Sequence, residues 1–315
     1  MSGVVAVVVT YRRPAELMRL VESLETSEVA LFGCVIVDHE AAGTVRTALA
    51  GRRLDLRVIE DATNPGPGAG WANGARHAQA EFGDEVEAVW FLDDDVVIPP
   101  DALGTLLSEM GKVKAGAMAP LLSDAEGKLW AFPEPDERAL RTKIREAVTP
   151  ADAFRLLGDA PLRFSWATGA CLLVTRAMIE KIGLHRGDFW MLGEDLEYSM
   201  RIAGEGIGYF TCRAVVAHLP PQATSHERAR DADYLKFCAL LQNLSYLAFH
   251  GPQGNHMAGY LAGNFRRFFR SHGFRFETLR DAVSCLWHGA VRGHPAGHTS
   301  GEKLRARRRA GELRR

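Results

Sequence analysis

Apolar runs too continuous for a strand with one wet face recur through the first third of the chain, each followed by a helical or turn pattern. Val4–Thr10 is the first, and Tyr11-Arg12-Arg13-Pro14 stops it. Such a run predicts a strand buried on both faces, ended by a turn. Ala15–Glu25 then sets Leu17, Leu20, Val21 and Leu24 on one helical face. Cys34–Val37, Leu56–Ile59 and Val86–Leu92 repeat the strand pattern, and the last breaks into Asp93-Asp94-Asp95. Strands alternating with helices predict an α/β sandwich, a parallel sheet with crossover helices. Ligands of such sheets gather at the carboxyl ends of strands, where several polar residues of this chain fall.

The second half is less regular. Asp101–Met110 reads as a helix, Ala115–Ala119 as a strand, and residues 122–160 as an insertion or flap around a modest helix. Ala167–Val174 reads as one strand, Arg176–Ile182 and Glu194–Ala203 as helices, and Tyr209–Ala217 as the last strand. From Ala229 the pattern is helical through Phe249 and again from Asn255 to about Arg270, and Glu302–Arg315 is too charged to pack.

Three adjacent carboxylates at the end of an apolar strand repel one another unless something compensates them. Strand alternation sends Asp93 and Asp95 to one side and Asp94 to the other. Paired carboxylates suit a hard divalent cation, Mn2+ or Mg2+, which can in turn hold a diphosphate; a solvated acidic turn is the plainer alternative. His218, after an apolar strand and before Pro220-Pro221, is a candidate imidazole ligand for the same cation or simply a packed histidine. Gly193-Glu194-Asp195-Leu196-Glu197 puts acids in a first helical turn, where the helix dipole favours the ionised form. One of them aimed into a cleft would serve as a general base; helix capping is the commoner use. Asn64–Gly74 is rich in glycine and proline but lacks a P-loop Gly-Lys-Ser/Thr, so a phosphate cradle and an ordinary turn stay equally open.

Taken in order, these segments resemble a family 2 glycosyltransferase with the GT-A fold. Val7-Val8-Val9-Thr10-Tyr11 and Val35-Ile36-Val37-Asp38 are similar to that family's first two strands, and Asn64-Pro65-Gly66 with Ala69–Gly74 to its Asn/Gly segment. Phe91–Val96 is similar to its DxD motif, and Asp188–Arg201 to its acceptor-side Glu-Asp segment. The likeness spans about residues 3–220, extends weakly to Leu286–Gly289, and is nearest to the bacterial rhamnosyl- and galactofuranosyltransferase branch. It implies a Rossmann-like mixed sheet flanked by helices, with a catalytic domain over 1–225, a helical region over 226–300 and a tail over 301–315. The implied cation ligands are Asp93, Asp95 and His218, and the implied base is Asp195. Nucleotide contacts are implied for Thr10, Tyr11, Arg12, Asp38, Asn64, Gly70, Asn73 and Asp94. The implied reaction is inverting transfer from a UDP- or dTDP-sugar to a saccharide, lipid-linked or small-molecule hydroxyl. After Asp38 the chain departs from the family's Asn-Gly/Ser turn, with His39-Glu40-Ala41-Ala42.

Composition narrows the alternatives. The 315 residues are 47% apolar and 24% charged, which excludes fibrous and wholly disordered classes. The net charge of −1 hides an asymmetry: residues 260–315 hold 13 of the 38 Lys and Arg and 4 of the 39 Asp and Glu, a net of +9. The rest of the chain therefore carries −10. A sugar-phosphate nucleotidyltransferase would carry glycines after the first strand, which are missing here. Nucleic acid is not an expected partner, because no aromatics interleave the terminal arginines. Arg266, Arg267 and Arg270 beside Phe265, Phe268 and Phe269 suit an anionic membrane surface, a solvated tail or a homo-oligomer contact. Five cysteines without metal or redox spacing read as packed thiols. With no basic segment or cleavage site before the first strand, the expected compartment is the cytoplasm, with contact at the inner membrane face left open.

Overall fold

The structure is a computed structural model that describes residues 3–219, 226–252 and 254–291. The chain forms two units: Met1–Asn64, Trp71–Leu184 and Tyr198–Pro221 in the first, and Pro65–Gly70, His185–Glu197 and Gln222–Arg315 in the second.

The first unit opens with β1 (Val4–Thr10), α1 (Pro14–Glu25), β2 (Gly33–Asp38), α2 (Thr44–Ala48), β3 (Leu56–Glu60), α3 (Pro67–Phe82) and β4 (Ala88–Asp93). It continues through β5 (Val96–Val97), α4 (Ala102–Val113), β6 (Ala117–Ser123), β7 (Leu129–Ala131), β8 (Glu134–Pro135), α5 (Arg138–Ile144), α6 (Pro150–Leu157), β9 (Leu162–Trp166), β10 (Cys171–Thr175), α7 (Arg176–Ile182), α8 (Glu194–Gly204) and β11 (Gly208–His218). The strand order is β3-β2-β1-β4-β10-β6-β11-β9-β8, with β5 added to β11 and β7 to β6. Strands β1 to β4 are parallel, as the unbroken apolar runs predict, and β10 runs antiparallel between β4 and β6. Alternate residues of β1 enter opposite cores: Val4, Ala6 and Val8 pack with Leu17 and Leu20 of α1, and Val5 and Val7 with Trp71 and Ala75 of α3. Full burial of each valine contributes about 1.5–3 kcal/mol, which is why polar residues are confined to the strand ends.

Three sequence expectations change. Ala167–Val174 is not one strand: Ala167 to Ala170 form the break between β9 and β10, where Thr168-Gly169 turns the chain. Residues 122–160 are not a flap around one helix but contain β7, β8, α5 and α6. Thr149 and Asp152 close a capping box on α6 that fixes its start. Asn64–Gly74, in the sequence a loop running into a helix start, is already helix from Pro67 onward.

The second unit is built on α9 (His226–His250), α10 (Gly254–His272) and α11 (Phe276–Ala290), around a core that includes Trp190, Tyr234, Cys238, Phe268 and Cys285. The local helical pattern stopped at about Arg270, and α11 lies beyond it, inside the stretch over 226–300 expected to be helical. All five cysteines are buried thiols, none of them in a disulfide. No helix of the described residues is long and apolar enough to cross a membrane. The terminal segment Glu302–Arg315 lies outside the described residues.

Candidate active site

Register brings the site together. Thr10 of β1 pairs with Asp38 of β2, and Val9 with Asp93 of β4, so three strands end their polar residues at one edge. Beyond Asp93 the chain turns, and β5 pairs antiparallel with the end of β11, His218 opposite Val96. The Leu219 N–H donates to the Asp95 carbonyl at 2.7 Å, locking that end. His218 Nε2 consequently stands 3.1 Å from Asp95 Oδ1. One ligand atom each from Asp93, Asp95 and His218 lies within 4.8 Å of the other two. The convergence comes from this turn and not from strand alternation, since Asp94 and Asp95 are outside β4.

Asp94 and Asp95 are each 4% exposed and need compensation. Arg13 supplies it: Nη1 donates to Asp94 Oδ1 at 3.0 Å and to Asp95 Oδ2 at 2.7 Å. The Thr10 hydroxyl donates to Asp94 Oδ2 at 2.7 Å. Burial pushes Asp94 up to about 6, against the pull of Arg13 and Thr10. Burial also acts to raise Asp95, but the hydrogen bond and charge of His218 and the charge of Arg13 outweigh it and hold that carboxyl below its ordinary value. The Arg13 guanidinium is raised: its own burial is outweighed by the adjacent carboxylates. The Trp130 ring stacks on His218, 3.8 Å between centroids and 23° between planes. His218 Nδ1 is buried with no hydrogen-bond partner among the described residues. Two carboxylates and one imidazole form an oxygen-rich donor set that fits a divalent cation.

The other residues singled out from sequence are placed as follows. Asp38 is fully buried; its Oδ1 accepts from the Glu40 N–H at 2.9 Å, and its Oδ2 has no partner among the described residues. Tyr11 is exposed, with the Arg12 guanidinium 5.0 Å from its ring centroid. Arg12 adopts φ 59° and stands 3.4 Å from Glu40, so the two neighbouring arginines divide between different acids. Asn64 is half-buried at φ 46° before α3, and Asn73 is half-buried within that helix. Trp71 of α3 donates from Nε1 to the Leu92 carbonyl at 3.3 Å. It thereby ties α3 to the residue preceding Asp93.

Gly70 and Asp195 lie in the opening turns of α3 and α8, which fall in the second unit while the rest of both helices falls in the first. Asp195 is half-buried in the first turn of α8, and Glu194 and Glu197 beside it are buried. The preceding turn is held open against its own preference: Leu192 has φ 63° and Gly193 φ 99°. Asn243 of α9 holds it by donating Nδ2 to the carbonyls of Met191, at 3.1 Å, and Leu192, at 2.6 Å. Gly66 lies so close to this loop that a Cβ would stand 1.7 Å from the Trp190 carbonyl oxygen.

Arg13, Trp130, Trp71 and Asn243 were not identified from sequence. For Arg13 a signal existed, a cation at the end of the strand next to an acidic triplet. For Trp130 and Asn243 no local pattern points to His218 or to Leu192.

With this geometry in view, similarity to known proteins is specific. A family model described as glycosyltransferase-like family 2 matches residues 2–236. The galactofuranosyltransferase GlfT1 of Mycobacterium tuberculosis (strain ATCC 25618 / H37Rv) is 29% identical over 215 residues, 67% of this chain and 68% of that one. The low-salt glycan biosynthesis hexosyltransferase Agl10 of Haloferax volcanii is 23% identical over 242 residues, 73% and 72% of the two chains. Among solved structures, S. aureus TarS 1–349 in complex with UDP superposes with a TM-score of 0.57 at 14% identity, covering 99% of this chain and 93% of that one. The sheet with its flanking helices is thus the GT-A fold, and the chain belongs to glycosyltransferase family 2.

Proposed function

We propose that this glycosyltransferase is inverting and cation-dependent, moving a sugar from a UDP- or dTDP-sugar to an acceptor hydroxyl. The observation that carries the reading is the approach of Asp93, Asp95 and His218 within 4.8 Å at the strand ends. These three residues would hold Mn2+ or Mg2+. When bound, the cation supplies positive charge against the diphosphate leaving group. Asp38, with one buried carboxylate oxygen unpartnered among the described residues, suits a ribose or base donor group, and Thr10 orients Asp94 beside it. Tyr11, Arg12, Asn64, Gly70 and Asn73 complete the proposed nucleotide-binding set. Asp195, in the first turn of α8, takes the proton from the acceptor hydroxyl as its oxygen bonds to the sugar and the bond to the leaving group breaks. The domain reading that goes with this is a catalytic domain over 1–225 followed by helices to about 300.

Support comes from three directions: the two-carboxylate and imidazole donor set, the UDP bound by TarS, and the glycosyl-transferring names of GlfT1 and Agl10. The test is a panel of sugar nucleotides with and without chelator. Chelator-sensitive release of nucleoside diphosphate is expected, with Asp195→Asn losing transfer but keeping donor affinity. Asp95→Ala is expected to lose cation-dependent donor binding by calorimetry. Transfer by Asp195→Asn near the wild-type rate would refute the base assignment, and equal donor affinity with and without cation would refute the cation reading.

A further inference from the structure

The second unit turns an apolar surface outward. On α11, Thr278, Asp281, Ala282, Cys285 and Gly289 are buried. The packing there is tight: the Ser245 hydroxyl of α9 donates to the Leu286 carbonyl at 2.8 Å, and a Cβ on Gly289 would stand 2.2 Å from the Gln242 carbonyl oxygen. The helix therefore has no freedom to roll. Its opposite side, at the i, i+4, i+7, i+11 and i+15 positions, presents Phe276, Arg280, Val283, Trp287 and Val291. Phe276 is 81% exposed, Trp287 56% and Val283 53%. A cavity of about 530 Å³ in the same unit is lined by Ala258, Ala262, Phe265 and Leu286, with Arg266 at its wall.

The charge is one-sided. Helix α10 has no acid, and on α11 Asp281 is buried and accepts from Tyr234, leaving Glu277 as the exposed acid. Arg266, Arg267, Arg270, Arg275 and Arg280 are all exposed. The chain leaves α11 at Val291 into residues 292–315, which add eight Lys and Arg against two Glu. The aromatic cluster that suggested a membrane from sequence is not itself the surface. Phe268 is buried in the helical core, and Arg267 lies over the Phe237 ring at 5.5 Å.

We propose that the outer face of α11 with the adjoining arginines of α10 is a docking surface for an anionic lipid bilayer. Exposed Trp and Phe enter the headgroup region, where an amphipathic ring is favoured, and arginines snorkel to lipid phosphates. Each arginine near an anionic leaflet adds about 1 kcal/mol. A second copy docking through the same face would set its arginines against their equivalents, an arrangement that charge repulsion opposes. The basic segment that follows matches the same anionic partner and is too charged to fill an apolar cavity.

The experiment sediments the full chain with phosphatidylcholine vesicles, plain or with about 30% phosphatidylglycerol. Binding is expected to the anionic vesicles alone and to weaken with salt. Val283→Ser with Trp287→Ser is expected to cut the partition coefficient about ten-fold, and Arg266→Glu with Arg270→Glu by about thirty-fold or more. A chain lacking residues 292–315 is expected to retain residual binding that the Val283/Trp287 pair removes. No binding to anionic vesicles, or binding by either paired variant equal to that of the parent chain, would overturn the proposal. So would a dimer by light scattering that Trp287→Ser dissociates, which would make the face a contact between copies. None of these positions belongs to the proposed catalytic set, so failure here is separable from failure of the transferase reading.

Discussion

Arg13 is the residue on which the acidic cluster depends. Two carboxylates at 4% exposure would repel each other without it, and it reaches both from the turn after β1. Arg13→Ala is expected to cost about 1–3 kcal/mol in chelator-treated protein, the low end reflecting a guanidinium that remains partly exposed. Thermal melting with and without Mn2+ checks this. The rise in Tm on adding Mn2+ should be larger in the variant than in the parent, because bound cation replaces the missing charge; an equal rise would contradict it. The acidic triplet was legible in the sequence because three acids directly follow the apolar run Val-Trp-Phe-Leu. Its compensating group was not: Arg13 shows in the sequence only as a cation at a strand end, and its pairing with Asp94 and Asp95 depends on strand order.

Among the elements, the loop leading into α8 is the most constrained. Gly66→Ala would drive a Cβ into the Trp190 carbonyl oxygen at 1.7 Å, at a backbone φ of 100° that side chains avoid. A loss of about 3 kcal/mol or more is expected by urea denaturation. Asn243→Asp preserves shape but cannot donate to Met191 and Leu192. If the loop positions Asp195, kcat should fall while donor KM stays near the parent value, and Asn243→Leu should match it. An unchanged kcat would show that the two hydrogen bonds serve stability alone. The parallel strands β1 to β4 could be read from their unbroken apolar runs, because burial on both faces leaves no room for polar residues. The apolar run over Ala167–Val174 misled because Thr168-Gly169 interrupts it and β10 reverses direction. Helix α11, inside the region over 226–300 expected to be helical, was not marked by periodicity because its apolar residues lie on both faces and form no single hydrophobic stripe.

Across the whole molecule, the five thiols behave as core. Burial pushes Cys34 and Cys171 up to about 12 and Cys212 up to about 11, so thiolate is scarce at neutral pH. A thiol reagent is expected to modify none of the five cysteines in the native state and all of them in denaturant; rapid native labelling would contradict the packing. The charge division of −10 and +9 acquires a structural sense here. Some of the acid is the cluster at the strand ends, and much of the base belongs to α10, α11 and the segment after them. Chain pattern was enough to specify a parallel sheet, its polar strand ends and the acidic triplet at one of them, since side-chain periodicity and burial are local consequences of composition. Which arginine neutralises the acids, how His218 comes to stand beside Asp95, and which face of the last helix stays wet depended on register and packing. Those bring together residues far apart in the chain, and no short window of sequence carries that information.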